Sequence, residues 1–340
     1  MRNDKKIAII GGGNVGRALG VKLDVLGHDV TIVESNLPKT ICIDEYVMYN
    51  ITGDFGDHSH LVKVRCNVSQ LDDDYDIIFV CTKLFDGVDV LKKCRDKIAP
   101  NGAIVTIQNM YWIDRVSTII NPANAVFLHM DFSCFPFGEK TRVIDQDGIK
   151  LGIISKDAYP QMQMVSDVIK RICLVEQVKD IIGFSLGRNI INIAISLLGG
   201  VSGKTLGRIL SDPKGKKLFV EVIKESIELF QALAINIQPY NDQLDYYLFT
   251  KDSPEGKKYR KRILKILKNN NYNVSSSILF DLEYGKKSEI LTVVKTFIKH
   301  AQIKRIRIPH IVALYKMTNE IIQGKRRIEN RAFNDKNLKI

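Results

Sequence analysis

The most informative stretch of the chain is KIAIIGGGNVGRALGVKLDVLGHDVTIVE, residues 6–34. It predicts a β-strand, a glycine-rich turn, a helix and a second strand that ends at Glu34. Gly11, Gly13 and Gly16 stand in GxGxxG spacing. In that pattern the first glycine permits a tight turn, the second lets a pyrophosphate approach the backbone, and the third allows the helix to pack closely on the strand. We therefore predict a dinucleotide-binding loop at these residues.

The same stretch also points to a cofactor, NAD(P)H. The first helical residues, Asn14 and Val15, offer their amides to phosphate groups. A carboxylate at Glu34 can accept both ribose hydroxyls of NAD and would repel the 2′-phosphate of NADP, so NADH is favoured. The alternative is that Glu34 turns outward and that Lys39 or Arg17 contacts a phosphate.

Beyond this stretch, the chain divides into two halves with different patterns. Residues 1–155 alternate β-like runs with helical patterns, which predicts an α/β Rossmann domain with a doubly wound parallel sheet. Two β-rich runs flank the turn signal DQDG at residues 145–148, and they predict a closing hairpin. Residues 156–324 show successive helical patterns and no convincing strand, which predicts an all-helical domain. Residues 325–340 form a basic tail.

The composition excludes several classes of protein. With 45% hydrophobic and 26% charged residues among 340, the chain suits two globular domains and not a disordered polymer. It has no uninterrupted apolar run of ~18 residues and no signal-peptide pattern, so we expect a cytoplasmic protein that does not cross a membrane. The six cysteines form no CxxC pair. We therefore expect reduced thiols and no metal site.

The formal net charge of +12 arises in the C-terminal quarter. Residues 251–340 hold 22 Lys and Arg against 8 Asp and Glu, whereas the charges of the preceding residues nearly cancel. The most basic stretch is KKYRKRILKILK, residues 257–268, which has Tyr259 as its one aromatic side chain. We expect a solvated helix packed through its Ile and Leu face, and nucleic acid is a disfavoured partner.

Further segments resemble the ketopantoate reductase (2-dehydropantoate 2-reductase) family over nearly the whole chain. The run IIFVCTK, residues 77–83, resembles the family's strand that ends in a lysine, which is Lys83 here and follows Thr82. The run IQNM, residues 107–110, corresponds to the family's Q-N-G turn. This places Asn109 at the family's asparagine beside the nicotinamide.

The most specific match is SSSILFDLEYGKKSEI, residues 275–290, which resembles the family's Ser-Ser-Met-x-x-Asp and Thr-Glu-Ile segment. It equates Ser277 with the substrate-binding serine, beside Ser276, and Glu289 with the active-site glutamate. The resemblance implies an oxidoreductase of pantothenate biosynthesis that acts on a CH–OH group. Its substrate would be a small branched 2-oxo acid, ketopantoate by default, reduced at C2 in the cleft between the domains. The helical domain would bind this substrate and could form a homodimer.

One departure from the family concerns its proton donor. The family places a lysine at the start of the first interdomain helix, with asparagines four and eight residues later. If Asn192 is the second asparagine, Arg188 replaces the first and Phe184 replaces the lysine; a shift of one residue puts Ser185 there instead. Residues 184, 188 and 192 share one helix face. We expect Arg188 and Asn192 to contact the substrate, although a structural ion pair for Arg188 is the alternative.

The proton must then come from another group, because an arginine stays protonated and is a poor acid. The candidates are Glu289, a water molecule, Lys179 and Lys204. Two alternative functions also remain open. One is a catalytically altered dinucleotide-binding protein that senses redox state, and the other is a reductase of a different oxo acid or an imine.

Overall fold

The computed structural model describes residues 4–37, 46–107, 113–239, 244–283, 285 and 287–338. By its internal contacts the chain divides into two compact units, Met1–Ile181 and Ile182–Ile340. The first unit combines strands with helices, and the described part of the second consists of helices and their connections.

The first unit follows the predicted alternation at its start and then departs from it. Its strands are β1 (Lys6–Ile10), β2 (Asp29–Val33), β3 (Tyr46–Gly53), β4 (His58–Arg65), β5 (Tyr75–Val80), β6 (Ile98–Thr106), β7 (Ala125–Phe137), β8 (Lys140–Gly152) and β9 (Val175–Gln177). Its helices are α1 (Asn14–Val25), α2 (Leu84–Cys94), α3 (Ile113–Ile119) and α4 (Tyr159–Ile169).

All nine of these strands belong to one mixed sheet, in the order β3-β4-β2-β1-β5-β6-β7-β8-β9. The pairs β2–β4, β1–β2, β1–β5, β5–β6 and β6–β7 are parallel, whereas β3–β4 and β7–β8 are antiparallel. Strand β8 also pairs with β3, with Ile51 opposite Thr141 and Gly53 opposite Val143. Eight strands therefore close into a barrel-like ring, and β9 extends from β8.

The predicted fold class, with an open doubly wound parallel sheet, is therefore wrong. Closure depends on β3, and the sequence analysis predicted no strand there. Gly53 has φ of +95°, and a side chain at this position would overlap the carbonyl oxygen of Val143. Glycine thus allows β3 to approach β8 closely. The closed sheet leaves neither strand with an open edge at this junction.

The predicted hairpin around residues 145–148 is also wrong. Strand β8 runs through these residues without a turn, and the turn between β7 and β8 lies at Gly138. Gly148 has φ of +70°, and a side chain there would overlap the backbone of Leu174. The Asp-Gly signal therefore marks an irregularity in β8 where the chain entering β9 comes close. Strand β9 also lies beyond residue 155, within the stretch that was predicted to be helical.

Helix α1 fills the inner side of the closed sheet. It packs against β1, β2, β3, β4, β7 and β8, so strands from both sides of the ring meet the same helix. Its buried face is predominantly apolar and small, with Ala18, Leu19, Val21 and Leu23 almost inaccessible to solvent. This packing places the start of α1 at the carboxyl ends of the parallel strands.

The described part of the second unit contains eight helices, of which the sequence periodicity predicts all except the short α6 and α8. These are α5 (Ile181–Ser202), α6 (Leu206–Ser211), α7 (Pro213–Ala232), α8 (Tyr246–Thr250), α9 (Pro254–Asn270), α10 (Ser277–Glu283), α11 (Glu289–Lys304) and α12 (Pro309–Ile322). Among the described residues, α5 is the one helix long and apolar enough to cross a membrane. However, 78% of its most apolar window is buried inside the protein, as in the core helix of a globular unit.

The cysteines differ in part from the expectation of reduced thiols. Cys66 takes part in a disulfide bond, whereas Cys81, Cys94, Cys134 and Cys173 are free. Spacing along the chain does not reveal a pair that forms only in the folded protein, which is why the sequence analysis missed this bond. Within the described residues, no group of three or more His, Cys, Asp or Glu side chains could hold a metal ion.

Candidate active site

The glycine loop between β1 and α1 has a backbone that requires glycine at its first position. Gly11 has φ of +114°, and a side chain there would lie 2.9 Å from the backbone of Cys81 and Thr82, at the end of the neighbouring strand β5. The amide of Gly11 donates to the carbonyl of Val33 over 2.9 Å. The loop is therefore pinned between the carboxyl ends of β2 and β5, where ligands of parallel sheets bind.

The other two glycines of the motif, Gly13 and Gly16, have different structural roles. A side chain at Gly16 would overlap the carbonyl oxygen of Gly11, so glycine is what allows α1 to pack against the loop. At Gly13 a Cβ atom would meet nothing within 4 Å, so the space over this residue is open. Helix α1 begins after Gly13 with no capping side chain and no acidic residue in its first turn. Its first amides and this open space fit the diphosphate of a dinucleotide.

Glu34, at the end of β2, has its carboxylate held on both oxygens. The guanidinium of Arg17 pairs with Oε1, and the hydroxyl of Tyr49 donates to Oε2 over 2.7 Å. The Arg17 guanidinium also lies 5.1 Å from the centre of the Tyr49 ring. A side chain at Gly12 would overlap the same carboxylate, which explains why a fourth glycine stands inside the motif. Glu34 is therefore buried and paired, and does not turn outward.

The surroundings of Glu34 fix the protonation of its tyrosine partner. Burial, followed by the hydrogen bond to Glu34 and its charge, raises the pKa of Tyr49 well above the ordinary value. Tyr49 therefore stays protonated at physiological pH and remains a donor to the carboxylate. Tyr49 was not among the predicted site residues, because nothing local to YVMYNITG in β3 indicates that its second tyrosine meets the end of β2.

A cavity of about 390 Å³ opens beside this group. Asn14, Arg17 and Leu37 line one side of it, and Tyr49 and the turn between β7 and β8 line the other. The hydroxyl of Thr141, on β8, donates to the side-chain oxygen of Asn14 over 3.3 Å. The cavity is thus continuous with the residues predicted to bind the cofactor.

The remaining predicted cofactor residues lie near the same edge of the sheet. Thr82 is half-buried where β5 meets the loop, and Lys83 is exposed directly before α2. Val15 is half-buried and packs against the core of the first unit. Asn109 lies outside the described residues, so its predicted place beside the nicotinamide stays a prediction.

A charged cluster on β7 and β8 was not predicted. His129 Nε2 lies 3.6 Å from Asp131 Oδ1, and Lys150 Nζ lies 4.0 Å from Asp131 Oδ2. Lys150 also pairs with Glu176 over 2.5 Å. The cluster begins two residues beyond Phe127, the last residue of β7 that pairs with β6. The contact of His129 with the buried Asp131 is compatible with a structural role for this histidine.

In the second unit, the predicted substrate residues Arg188 and Asn192 lie on one partly exposed face of α5, together with Phe184. Phe184 and Arg188 are half-buried and Asn192 is exposed, whereas most other residues of α5 between Ile181 and Ser202 are buried. The spacing of four residues places them on one face of the helix. Arg188 already contacts other groups of the protein. The two polar side chains therefore lie on the most accessible face of an apolar helix.

The two predicted serines lie beside the same helix. The hydroxyl of Ser276 is buried and donates to the carbonyl oxygen of Ser196 over 2.8 Å. The Ser277 hydroxyl is 3.0 Å from that of Ser196. Since Ser196 follows Asn192 by four residues, Ser277 continues the polar line of α5. A side chain at Gly199 or Gly200 would come too close to the start of α10, so the glycines in α5 permit the contact between α5 and α10.

The proton-donor candidates differ in their surroundings. Glu289 is half-buried as the first residue of α11 and makes contacts with other groups. Lys204 pairs with Asp212 over 2.7 Å and lies over the ring of Phe333, so it is engaged in holding α7 and the C-terminal segment. Lys179 is exposed, at the end of the first unit. The contacts of Lys204 thus give it a structural role.

The fold and the glycine loop define a class of proteins in which a nucleotide-binding α/β unit is followed by a helical unit. Residues 7–154 match the family model described as ketopantoate reductase PanE/ApbA, and residues 180–322 match the model of its C-terminal part. The chain belongs to the ketopantoate reductase PanE/ApbA family, as its sequence motifs predicted. It is accordingly a ketopantoate reductase-like oxidoreductase, and NAD(P)H is the cofactor of this family.

Solved structures with the same fold include several members of that family. A PanE/ApbA family ketopantoate reductase from Ralstonia eutropha JMP134 is similar with a TM-score of 0.73 and 16% identity, over 94% of this chain and 99% of that one. A dimeric ketopantoate reductase from Staphylococcus aureus has a TM-score of 0.68 and 15% identity, over 94% and 99%. D-mandelate dehydrogenase with NADH and anilino(oxo)acetate has a TM-score of 0.72 and 11% identity, over 97% and 99%. No curated protein sequence matches this chain.

Proposed function

We propose that the protein is an NAD(P)H-dependent reductase of the C2 carbonyl of a small branched 2-oxo acid, with ketopantoate as the default substrate and NADH as the preferred donor. The observation that carries the proposal is the open glycine loop beside the carboxylate of Glu34, at the carboxyl ends of parallel strands. The reduced nicotinamide supplies the hydride when bound. The protein's own residues then have to hold the cofactor, bind the oxo acid and deliver a proton.

The substrate side of the proposal rests on the polar line of α5. A guanidinium binds a carboxylate in bidentate fashion and stabilises negative charge on a carbonyl oxygen. We therefore assign the carbonyl or carboxylate of the oxo acid to Arg188 and Asn192, and a carboxylate contact to Ser277 with Ser276 behind it. The complex of D-mandelate dehydrogenase with anilino(oxo)acetate supports this class of ligand.

The proton is assigned to Glu289 or to a water molecule that Glu289 holds. Arg188 stays protonated and cannot serve as an efficient acid. Lys204 is engaged in its ion pair with Asp212. Asn109 keeps its proposed role of orienting the nicotinamide and the substrate.

The missing lysine supports a second candidate, a dinucleotide-binding protein that senses redox state without turnover. Phe184 or Ser185 stands where the family places its proton donor, so a loss of catalysis is chemically plausible. The retained serine and glutamate favour the reductase, because a protein without a substrate has no use for a substrate-binding pair.

The experiment that decides between them follows the oxidation of NADH and NADPH with ketopantoate and a panel of branched 2-oxo acids. Arg188→Ala and Glu289→Ala are compared with Arg262→Ala and Glu283→Ala, which remove the same charges from exposed positions of α9 and α10. We expect Arg188→Ala to lower kcat/KM for the oxo acid by about 100-fold, as when a charge-stabilising donor is removed, with NADH affinity and both controls unchanged.

Two results would count against the proposal. Turnover that survives Arg188→Ala would remove this residue from the active site. Tight NADH binding without turnover of any oxo acid would favour the redox sensor.

A further inference from the structure

A groove of about 350 Å³ on the second unit is lined almost entirely by cationic side chains. Helix α9 forms one wall of this lysine groove, and the end of α6 with the start of α7 forms the other. Its lining consists of Lys216, Lys257, Arg260, Lys261, Lys265 and Lys268, together with Leu210 and Leu264. Among the described residues, no carboxylate belongs to the lining. The groove therefore concentrates positive charge in a concave space, which strengthens its attraction for anions.

Most of this charge is not neutralised by the protein itself. Arg260 is the exception, because its guanidinium pairs with Asp252 over 3.1 Å and also donates to backbone carbonyls at the end of α8. The five lysines form no ion pair or side-chain hydrogen bond with the part of the chain that the structure describes. Four of them are exposed, and Lys268 is half-buried. Their ammonium groups are thus available to a ligand.

The lysines of α9 stand at positions that destabilise the helix when no ligand is bound. Lys257, Lys261 and Lys265 follow one another at intervals of four residues, and Lys268 follows three residues later. Side chains at these intervals are neighbours on a helix, so each ammonium group repels the next. An anion bound along this row would relieve the repulsion.

The lining also restricts the chemistry of that anion. From Lys257 to Lys268 the row extends about 16 Å along α9, so a chain of linked charges can contact all of it and a small oxyanion only a part. Ammonium groups bind phosphate oxygens as point charges, whereas planar recognition of carboxylates favours arginine. The one arginine here is already paired. None of the described residues in the lining is aromatic, so the groove offers no surface on which nucleobases would stack.

We propose that the lysine groove binds a linear oligophosphate, either free or carried by a small molecule. The phosphates would follow the row of lysines on α9, and Lys216 would contact them from α7. The inference is independent of the proposed function, because the lysine groove belongs to the second unit and the glycine loop to the first.

The test measures binding to the full-length protein by isothermal titration calorimetry. The probes are orthophosphate, tripolyphosphate, ATP, polyglutamate and oligothymidylate, each with and without NADH. The double variant Lys261→Gln with Lys265→Gln removes two cations of the groove. Its control is Lys258→Gln with Arg262→Gln, which removes two exposed cations from the same helix, at the same spacing, outside the lining.

We expect tripolyphosphate to bind the wild type at least about tenfold more tightly than orthophosphate does, because it contacts several ammonium groups at once. The Lys261 and Lys265 double variant should weaken tripolyphosphate by about tenfold, as two exposed ionic contacts are lost, and the control by less than about threefold. The affinity should fall as salt is added. ATP that binds no tighter than tripolyphosphate assigns recognition to the phosphate chain alone, and tighter binding of ATP assigns it to a small molecule that carries the chain; both results support the proposal.

Urea unfolding gives a second measurement that separates loss of binding from loss of the fold. Without ligand, the Lys261 and Lys265 double variant should be at least as stable as the wild type, because repulsion within α9 is removed. Tripolyphosphate should raise the unfolding midpoint of the wild type and of the control, and raise that of the double variant much less.

Four results would overturn the proposal. They are a wild type that does not bind tripolyphosphate, equal affinity in the two double variants, displacement of tripolyphosphate by NADH, and tighter binding of polyglutamate or oligothymidylate than of an oligophosphate of equal charge. Displacement by NADH would place the probe in the glycine loop. Preference for polyglutamate would instead indicate an acidic peptide as the ligand, and preference for oligothymidylate a nucleic acid.

Discussion

Replacing Gly13 by alanine should weaken cofactor binding while leaving the fold intact. Gly13 has φ of −75° and ψ of −178°, a conformation open to any L residue, and its added Cβ would meet no protein atom within 4 Å. Alanine restricts the unfolded chain, which stabilises by about 0.4–1 kcal/mol. It is a poorer N-cap than glycine, which costs a similar amount, about 0.5–1 kcal/mol. The free energy of unfolding should therefore change by less than about 1 kcal/mol.

The added methyl group lies, however, where a pyrophosphate must approach the first amides of α1. Losing one charge-assisted hydrogen bond costs about 1.5–3 kcal/mol. The dissociation constant for NADH should therefore rise by about 10- to 100-fold.

The assay pairs urea unfolding without ligand with NADH titration, for the wild type, Gly13→Ala and Gly16→Ala. Gly16→Ala adds the same methyl group in the same motif, but there it overlaps the carbonyl oxygen of Gly11. Overpacking of this kind costs about 1–3 kcal/mol. The two variants should thus show opposite patterns, with stability lost in one and affinity lost in the other. Normal NADH affinity in Gly13→Ala would refute the reasoning, because the open space over the loop would then not be the phosphate site.

Three further predictions concern stability and reactivity. Burial acts to raise the pKa of Asp212, but hydrogen bonds from Lys204 and from the first amides of α7 outweigh it and hold this pKa below its ordinary value. The stabilisation is therefore present above pH ~4 and lost as the pH falls. Asp212→Asn keeps the cap hydrogen bonds and loses the charge, so it should cost about 0.5–1 kcal/mol in urea unfolding near pH 7 and little near pH 2. Lys261 lies in α9 between lysines one helical turn away on either side. Lys261→Glu should therefore raise the free energy of unfolding by about 0.5–1 kcal/mol at low salt and by less at high salt. Burial raises the pKa of the inaccessible Cys94 thiol to about 12. Iodoacetamide at mildly alkaline pH should therefore label Cys94 only after the protein unfolds, and peptide mass spectrometry would detect the label.

Features that depend on neighbouring residues could be predicted from the sequence. Six helices of the second unit, α5, α7 and α9 to α12, begin and end within a few residues of the stretches whose periodicity predicts them, because most of them repeat a period of 3.6 residues over several turns. The short helices α6 and α8, of six and five residues, repeat that period too few times to be predicted. The shared, partly exposed face of Phe184, Arg188 and Asn192 follows from the same periodicity. The turn at Gly11 and the close approach of α1 to the loop at Gly16 follow from the GxGxxG spacing, because at each of these positions a side chain would clash with nearby backbone.

Features that depend on distant residues could not be predicted. Strands β3 and β8 pair although about 90 residues separate them, and no local pattern sets that register. An Asp-Gly pair is typical of a turn, yet at Gly148 it serves a close approach of Leu174 from another part of the chain.

The closure of the sheet and the chemistry of the cofactor side are connected through β3. Because β3 pairs with both β4 and β8, Tyr49 is fixed against the second oxygen of the Glu34 carboxylate. Strand β8 at the same junction brings Thr141 to Asn14, the first residue of α1. The strand that the sequence analysis missed is thus the one that fixes Glu34 in its paired position, which is why a charge argument from Glu34 alone gives an incomplete account of cofactor choice.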